Sequence, residues 1–295
     1  MFWGVGVWLL LTEFVSGRSL ADDIIDTCRV ELASLSESRG IMPCVATVMV
    51  GDDSASRLYM RLRDKACEKA GIKSVHVELN EKISMQNLIY EIEKLNADAS
   101  VHGILVQYPL PSGLSAERIM ACVDPKKDVE GFHPINMGKT LLGVEGLVPC
   151  TPLAVIRFLE FLDVNLVGKH VVIVNHSNVV GRPLSVMFLN RNATVSIAHQ
   201  YTSNLAKLCS MADILIPATG IAGLIQKDHV KSGAIVLDVG IADDGKGGVT
   251  GDVNRDSVKE VASLLSVVPG GIGPVTIACA IENILCCVKS CVDVS

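Results

Sequence analysis

The chain is poor in aromatic residues, with 6 Phe, 4 Tyr and 2 Trp in 295 positions. It also has no excess of positive charge: 26 basic against 32 acidic side chains give a net charge of −6. Few rings exclude a base-stacking platform and the charge balance excludes a phosphate-neutralising face, so nucleic acid is not an expected partner. Charged residues make up 20% and hydrophobic ones 49%, an apolar excess expected to lie partly between subunits. The ten cysteines contain no CxxC pair and are scattered through helix-like and strand-like runs. A disulfide scaffold is therefore not expected, and no metal site is assigned; Cys286, Cys287 and Cys291 read as small apolar residues of a last helix. Residues 2–11 are apolar but lack a basic stretch before them and are too short to span a bilayer. Residues 262–281 carry no charge, yet Pro269 to Pro274 (PGGIGP) interrupts them as a loop between buried elements. A reducing, cytoplasmic setting without a membrane partner is expected.

What the sequence does have is alternation. Apolar runs bounded by Gly and Pro alternate with amphipathic stretches, the mark of βαβ units in an α/β fold. In the first half, 44–50, 75–79 and 103–107 read as strands, with helices over 55–70, 84–96 and 116–122. In the second half the strands are 170–174, 194–198, 214–217 and 234–239, a spacing that suits a dinucleotide-binding domain. Pro149 and Pro152 bracket a helix start that marks the boundary, and a last helix over 275–289 could return to the first domain. Residues 1–148 with 276–295 are thus expected to form one domain, and 149–275 the other.

Four segments carry candidate chemistry. The turn Asn175-His176-Ser177 through Gly181 follows a strand and opens a helix, where an open α/β sheet receives a pyrophosphate on backbone N–H groups. It is not GxGxxG, and ordinary βα-turn chemistry explains the same residues. Tyr59 and Arg63 share one helix face at 100° per residue while Lys65 points elsewhere; a solvated helix face is the competing reading. Gln107 ends an apolar strand at the carboxyl edge, where ligands bind such sheets, or else caps its own loop. The turn from Asp124 to Glu130 holds three carboxylates, of which turn geometry explains Asp124 and could explain Asp128.

In combination these segments resemble the methylenetetrahydrofolate dehydrogenase/cyclohydrolase family, over about 20–289. The resemblance rests on Tyr59 and its helix, GILVQYPLP at 103–111, KDVEGFHP at 127–134, PCTP at 149–152, SNVVGRP at 177–183, DVGI at 238–241, GDV at 251–253 and PGGIGPVT at 269–276. It implies a folate-binding domain and a Rossmann-like domain with a deep cleft between them, and a homodimer. It implies oxidation of 5,10-methylenetetrahydrofolate with NADP or NAD, and commonly hydrolysis of the methenyl product to 10-formyltetrahydrofolate. Tyr59, Arg63, Gln107 and Glu130 then stand at catalytic positions. Tyr59, Gln107, Glu130 and the loop Pro269-Gly270-Gly271 would hold the substrate. Asn175, His176, Ser177, Gly181, Thr219, Gly220 and Ile241 would contact the cofactor.

Three departures from the family pattern bear on mechanism. Arg63 replaces the lysine of a YxxxK motif, Glu130 replaces the second Asp of KDVDG, and Asn175-His176-Ser177 replaces a GRS turn. Hydride transfer depends chiefly on positioning and survives such changes. Hydrolysis needs a group that takes up a proton, which an amine can do and a guanidinium cannot, so weak or absent hydrolysis is expected. With His176 for the family's Arg and no cation in His199-Gln200-Tyr201, the pocket leans toward NAD although the family favours NADP. Two other readings stay open: another two-domain nicotinamide oxidoreductase, and a folate- or nucleotide-binding dimer without chemistry.

Overall fold

The computed structural model describes residues 12–144 and 146–292; the apolar stretch 2–11 lies outside them. In chain order the elements are β1 (Glu13–Val15), α1 (Arg18–Arg39), β2 (Cys44–Val50), α2 (Ser54–Ala70), β3 (Lys73–Leu79), α3 (Met85–Ala97), β4 (Gly103–Val106), α4 (Ala116–Met120), α5 (Pro134–Leu141) and α6 (Cys150–Phe161). They continue with β5 (His170–Val174), α7 (Gly181–Leu189), β6 (Thr194–Ala198), α8 (Leu205–Cys209), β7 (Ile214–Pro217), β8 (Ile235–Val236), β9 (Ala242–Asp243), β10 (Val249–Thr250), α9 (Arg255–Val258), β11 (Leu264–Ser266) and α10 (Ile272–Val292). The chain divides into two compact units: one combines Arg18–Arg157 with Pro274–Ser295, the other Met1–Gly17 with Phe158–Gly273.

The unit from Arg18 is built on a parallel sheet of order β3-β2-β4. All seven residues of β2 are buried, as expected of a central strand covered on both faces. Ala46, Val48, Val50, Ile104 and Val106 point to one face, against Leu88 and Ile92 of α3 and Ile119 of α4. Thr47, paired with Leu105, points to the other. There α2 starts on Asp53, whose carboxylate accepts the Ser56 N–H at 2.8 Å, and stops at Gly71 in the left-handed region (φ 75°). The loop foreseen at 269–274 ends earlier, because Pro274 is accommodated in the first turn of α10. That helix is long and apolar enough to cross a membrane by length and composition. Its Val275, Ala278, Ile281, Ile284 and Val288 are fully buried, so its apolarity is that of a core helix.

The other unit carries a six-stranded sheet of order β1-β11-β8-β7-β5-β6, with every pairing parallel. Counted from β5, five of these strands run 2-1-3-4-5, the doubly wound arrangement whose ligand crevice opens at the carboxyl ends of the first and third strands, here β5 and β7. Val172, Val174, Leu215 and Val236 anchor its core. The sixth strand is β1, which extends the edge beyond β11 through Glu13–Val15.

Asn283 is the polar exception on α10. Its side-chain amide is buried and donates to the carbonyls of Val129 and Val148, both at 2.8 Å, tying together two loops of the unit from Arg18. Asn283→Ala leaves the Val148 carbonyl unpaired and Val129 O with only the Cys150 thiol at 3.4 Å, and is expected to lower unfolding stability by about 1 to 3 kcal/mol. The check is a lower urea midpoint with an unchanged denaturant slope.

Candidate active site

Four of the sequence-predicted residues meet in the unit built on β2–β4. Arg63 is not on a solvated face: it is 1% exposed and donates through Nη2 to Thr47 Oγ1 of β2 at 3.3 Å. Its guanidinium carbon lies 5.9 Å from the centroid of the Tyr59 ring, one turn earlier on α2. Lys65 is exposed, as the helix geometry requires. Arg63 Nη1 is buried with no acceptor, and Gln107 Oε1 is buried with no donor. Unpaired buried polar atoms are costly, and two in one region mark a place made for a polar ligand.

Gln107 reaches this place through the pleat of the sheet. Leu105 pairs with Thr47, and two residues on Gln107 returns to the same face. Its amide Nε2 donates to Tyr108 O at 3.2 Å, and Ser56 Oγ of α2 donates to the same carbonyl at 3.4 Å. The loop after β4 is thereby joined to the start of α2. Gln107 does cap its own loop, but with its amide nitrogen only.

Glu130 is brought in by the turn at 127–134. Ile104 N–H donates to Lys127 O at 2.6 Å and Val129 N–H donates to Ile104 O at 3.2 Å, so the turn begins as a short parallel extension of β4. Lys127 is buried, its ammonium donating to the carbonyls of Leu95, Asn96 and Asp98 at the end of α3. Asp128 accepts from His133 N–H at 2.8 Å and from Asn136 at 2.9 Å, so it serves the turn itself. Gly131, at φ 69°, lies so close to the backbone of Val148 that no Cβ fits. Glu130 is half-buried, and its carboxylate makes no hydrogen bond among the described residues. Burial pushes it up to about 7, opposed by the charge of Arg63 and helped by that of Asp128. Burial, with Glu130 and Cys150 nearby, holds the Tyr59 phenol well above its ordinary range, so it remains a neutral donor.

The second group of predicted residues lies at the carboxyl ends of β5 and β7. Asn175 Oδ1 accepts from Ser177 N–H at 2.8 Å and Gly181 N–H at 3.0 Å, while its Nδ2 donates to Ala218 O at 2.6 Å across the crevice. A Cβ on Gly181 would overlap the Asn175 carbonyl. The backbone N–H groups of Asn178 and Val179 have no acceptor among the described residues and lie open just before α7. His176 lies against His199 at 4.9 Å between ring centroids, tilted by 44°, and His199 meets Tyr201 edge-on at 6.0 Å. Gly220, at φ 73°, approaches the Ile241 carbonyl, and Ile241 itself is exposed.

Two residues that sequence reasoning left out hold this second group in shape. Thr219 donates through both N–H and Oγ1 to Asp252 Oδ2. Asp238 accepts from the N–H groups of Gly240, Asp252 and Val253 at 2.9 to 3.1 Å. A Cβ on Gly240 would overlap the Asp252 carboxylate, and one on Gly251 the Asp238 carboxylate. Burial pushes Asp238 up to about 6 against those three N–H groups, with Asp252 adding to the rise. The DVG and GDV motifs were the signal, legible as motifs but not as an interlock. Pro269, Gly270 and Gly271 belong to the unit built on β5–β8. They follow β11 there, and Gly17 N–H and Ser16 Oγ both donate to Gly270 O.

Comparison with known proteins shows the family of both halves of the chain. Residues 149–292 match the family profile described as tetrahydrofolate dehydrogenase/cyclohydrolase, NAD(P)-binding domain, and residues 15–130 match its catalytic domain. The bifunctional protein FolD of Methanosarcina barkeri is 50% identical over 279 residues, covering 95% of this chain and 97% of that protein. The crystal structure of the bifunctional FolD methylenetetrahydrofolate dehydrogenase/cyclohydrolase from Campylobacter jejuni superposes with a TM-score of 0.91 at 42% identity, over 96% of this chain and 100% of that one. The Trypanosoma brucei methylenetetrahydrofolate dehydrogenase-cyclohydrolase, solved with NADP and an inhibitor, gives 0.90 at 31% identity over 94% and 97%. The chain therefore belongs to the tetrahydrofolate dehydrogenase/cyclohydrolase family.

Proposed function

We propose that this chain is an enzyme that oxidises 5,10-methylenetetrahydrofolate to the 5,10-methenyl form with NAD or NADP. The observation that carries the reading is the pair of unpaired buried atoms, Arg63 Nη1 and Gln107 Oε1, beside Tyr59 and the free carboxylate of Glu130 in a chain of this family. Folate is assigned to the unit built on β2–β4, and the dinucleotide to the unit built on β5–β8. Gln107 Oε1 and the Glu130 carboxylate accept N–H groups of the folate, Tyr59 lines the ring, and Arg63 presents a fixed positive charge. The open N–H groups of Asn178 and Val179, the tight Gly181 turn and the Thr219-Gly220 loop fit a nicotinamide dinucleotide by its phosphates and ribose. When bound, the nicotinamide ring supplies the hydride acceptor. What the protein contributes is orientation and electrostatics, since the step needs donor carbon and acceptor ring held in a reactive geometry. A homodimer working in the cytoplasm belongs to the same proposal. The exposed Phe161, Leu189 and Ile197 support the first and the ten free thiols the second.

The test is the appearance of reduced-nicotinamide absorbance when purified protein is given methylenetetrahydrofolate; no reduction of either cofactor rejects the proposal. Gln107→Ala removes the acceptor facing the folate and is expected to raise the folate KM roughly fivefold to 150-fold, about 1 to 3 kcal/mol of lost pairing. An unchanged KM removes Gln107 from the site.

The cofactor pocket favours NAD over NADP. Discrimination for a 2′-phosphate rests on a cation near the adenosine ribose, and the cluster of His176, His199 and Tyr201 holds neither Arg nor Lys. Arg182, in the first turn of α7, donates to Asn178 Oδ1 at 2.8 Å. Higher kcat/KM with NAD than with NADP is the expected result, and a large preference for NADP contradicts this reading of the pocket.

A further inference from the structure

Arg63 removes the proton-accepting amine from the hydrolytic half of the family's chemistry, but the site carries a second departure from the family pattern: a longer acid at position 130, whose carboxyl feels the charge of Arg63. We infer that Glu130 is the general base of methenyltetrahydrofolate hydrolysis in this chain, taking the proton from the attacking water that Arg63 cannot take. The inference rests on the folate reading above and deepens it.

Three observations carry it. The turn holds two acids in succession, and they are not equivalent. Asp128 is committed to His133 N–H and Asn136, whereas the Glu130 carboxylate has no hydrogen-bond partner among the described residues. Its backbone is nonetheless held firmly. Val129 is fully buried and pairs with Ile104, Asn283 donates to Val129 O, and Gly131 packs against Val148. A side chain free at its tip on a fixed stem is what proton transfer requires.

The third observation is the set of groups that face it. Arg63 and Tyr59 reach it from α2, Cys150 from α6, Tyr108 from the loop after β4, and Asp128 from its own turn. Tyr59, Tyr108 and Cys150 are held neutral by burial, so the charged neighbours are one cation and one acid already engaged. Arg63, with Nη1 unpaired, is the group to orient the water oxygen, and Glu130 the only one of the six with an uncommitted basic site. Burial brings that carboxyl to about 7, so it exchanges protons near neutrality.

The step balances without an oxidant or reductant. The water oxygen bonds to the methenyl carbon as one water proton passes to a Glu130 oxygen, giving a neutral carbinol. The carbinol O–H proton is then lost as C=O forms. The C–N5 bond breaks with its electron pair left on N5, which takes up one proton, and the other leaves to solvent. The product is 10-formyltetrahydrofolate.

The experiment follows loss of methenyltetrahydrofolate absorbance with the full chain, corrected for the uncatalysed rate, across about two pH units on either side of 7. Expected is a hydrolysis kcat that rises with pH and levels above about 7, since the base must be ionised. Glu130→Gln should lower that kcat by ~10²- to 10⁴-fold and flatten the profile, and Glu130→Asp should restore part of it. Folding of both variants is checked by far-ultraviolet circular dichroism and thermal midpoint, expected to match the wild type, and nicotinamide reduction by methylenetetrahydrofolate is assayed on the wild type. A wild type that reduces nicotinamide without hydrolysing, a flat wild-type profile, or undiminished hydrolysis by Glu130→Gln overturns the inference and leaves the dehydrogenase reading standing. Failure of the wild type to reduce either cofactor overturns that reading as well.

Discussion

The ammonium of Lys127, set into the three carbonyls that end α3, is the contact on which the folate side of the molecule depends. A buried cation is tolerated only when its donors are satisfied, and Leu95, Asn96 and Asp98 satisfy all three. By closing the helix end it also fixes where the following residues run. Lys127 and Val129 bond to Ile104, Asp128 turns inward to Asn136, and Glu130 emerges toward Tyr59 and Arg63. The position of Glu130 is thus set by the docking of a helix terminus more than by contacts of its own side chain.

The two units solve different problems with the same α/β grammar. Around β2 and β4 the functional atoms are unpaired side-chain groups of a small sheet, beside a Glu130 carboxyl whose proton affinity burial raises. Around β5 and β7 they are backbone N–H groups left open by a turn whose side chains bond one another. The first arrangement is suited to reacting atoms and the second to a ligand held by its phosphates.

Strands 44–50, 170–174, 194–198 and 214–217 were legible to the residue, because apolar runs cut off by Gly, Pro or Asn leave little choice of ends. Helix α1 went unread although Leu20, Ile25, Cys28 and Leu32 recur at helical spacing, since the apolar stretch before it drew the reading toward an extension. Strand β1 has three residues, too few to show any period, and exists because β11 offers an edge 251 residues later. The site was legible as motifs. It was not legible that Arg63 is buried: with Arg61 and Lys65 beside it, the local pattern is that of a solvated face, and only Thr47 of another element shows otherwise. Nor does spacing tell which of two acids in a turn is committed to holding the turn, a choice made here by Gly131 and His133.

The paired overlap of Asp238 with Gly251 and Asp252 with Gly240 has an evolutionary side. Each aspartate occupies the volume that a side chain on the opposite glycine would need, so enlarging either glycine collides with an acid, and shortening either acid opens a void beside three N–H groups or a threonine. No single replacement among the four leads to a neighbouring sequence of equal fitness. The quartet is therefore expected to pass between descendants as one heritable unit, while the exposed β9–β10 hairpin between its halves drifts freely in length and composition.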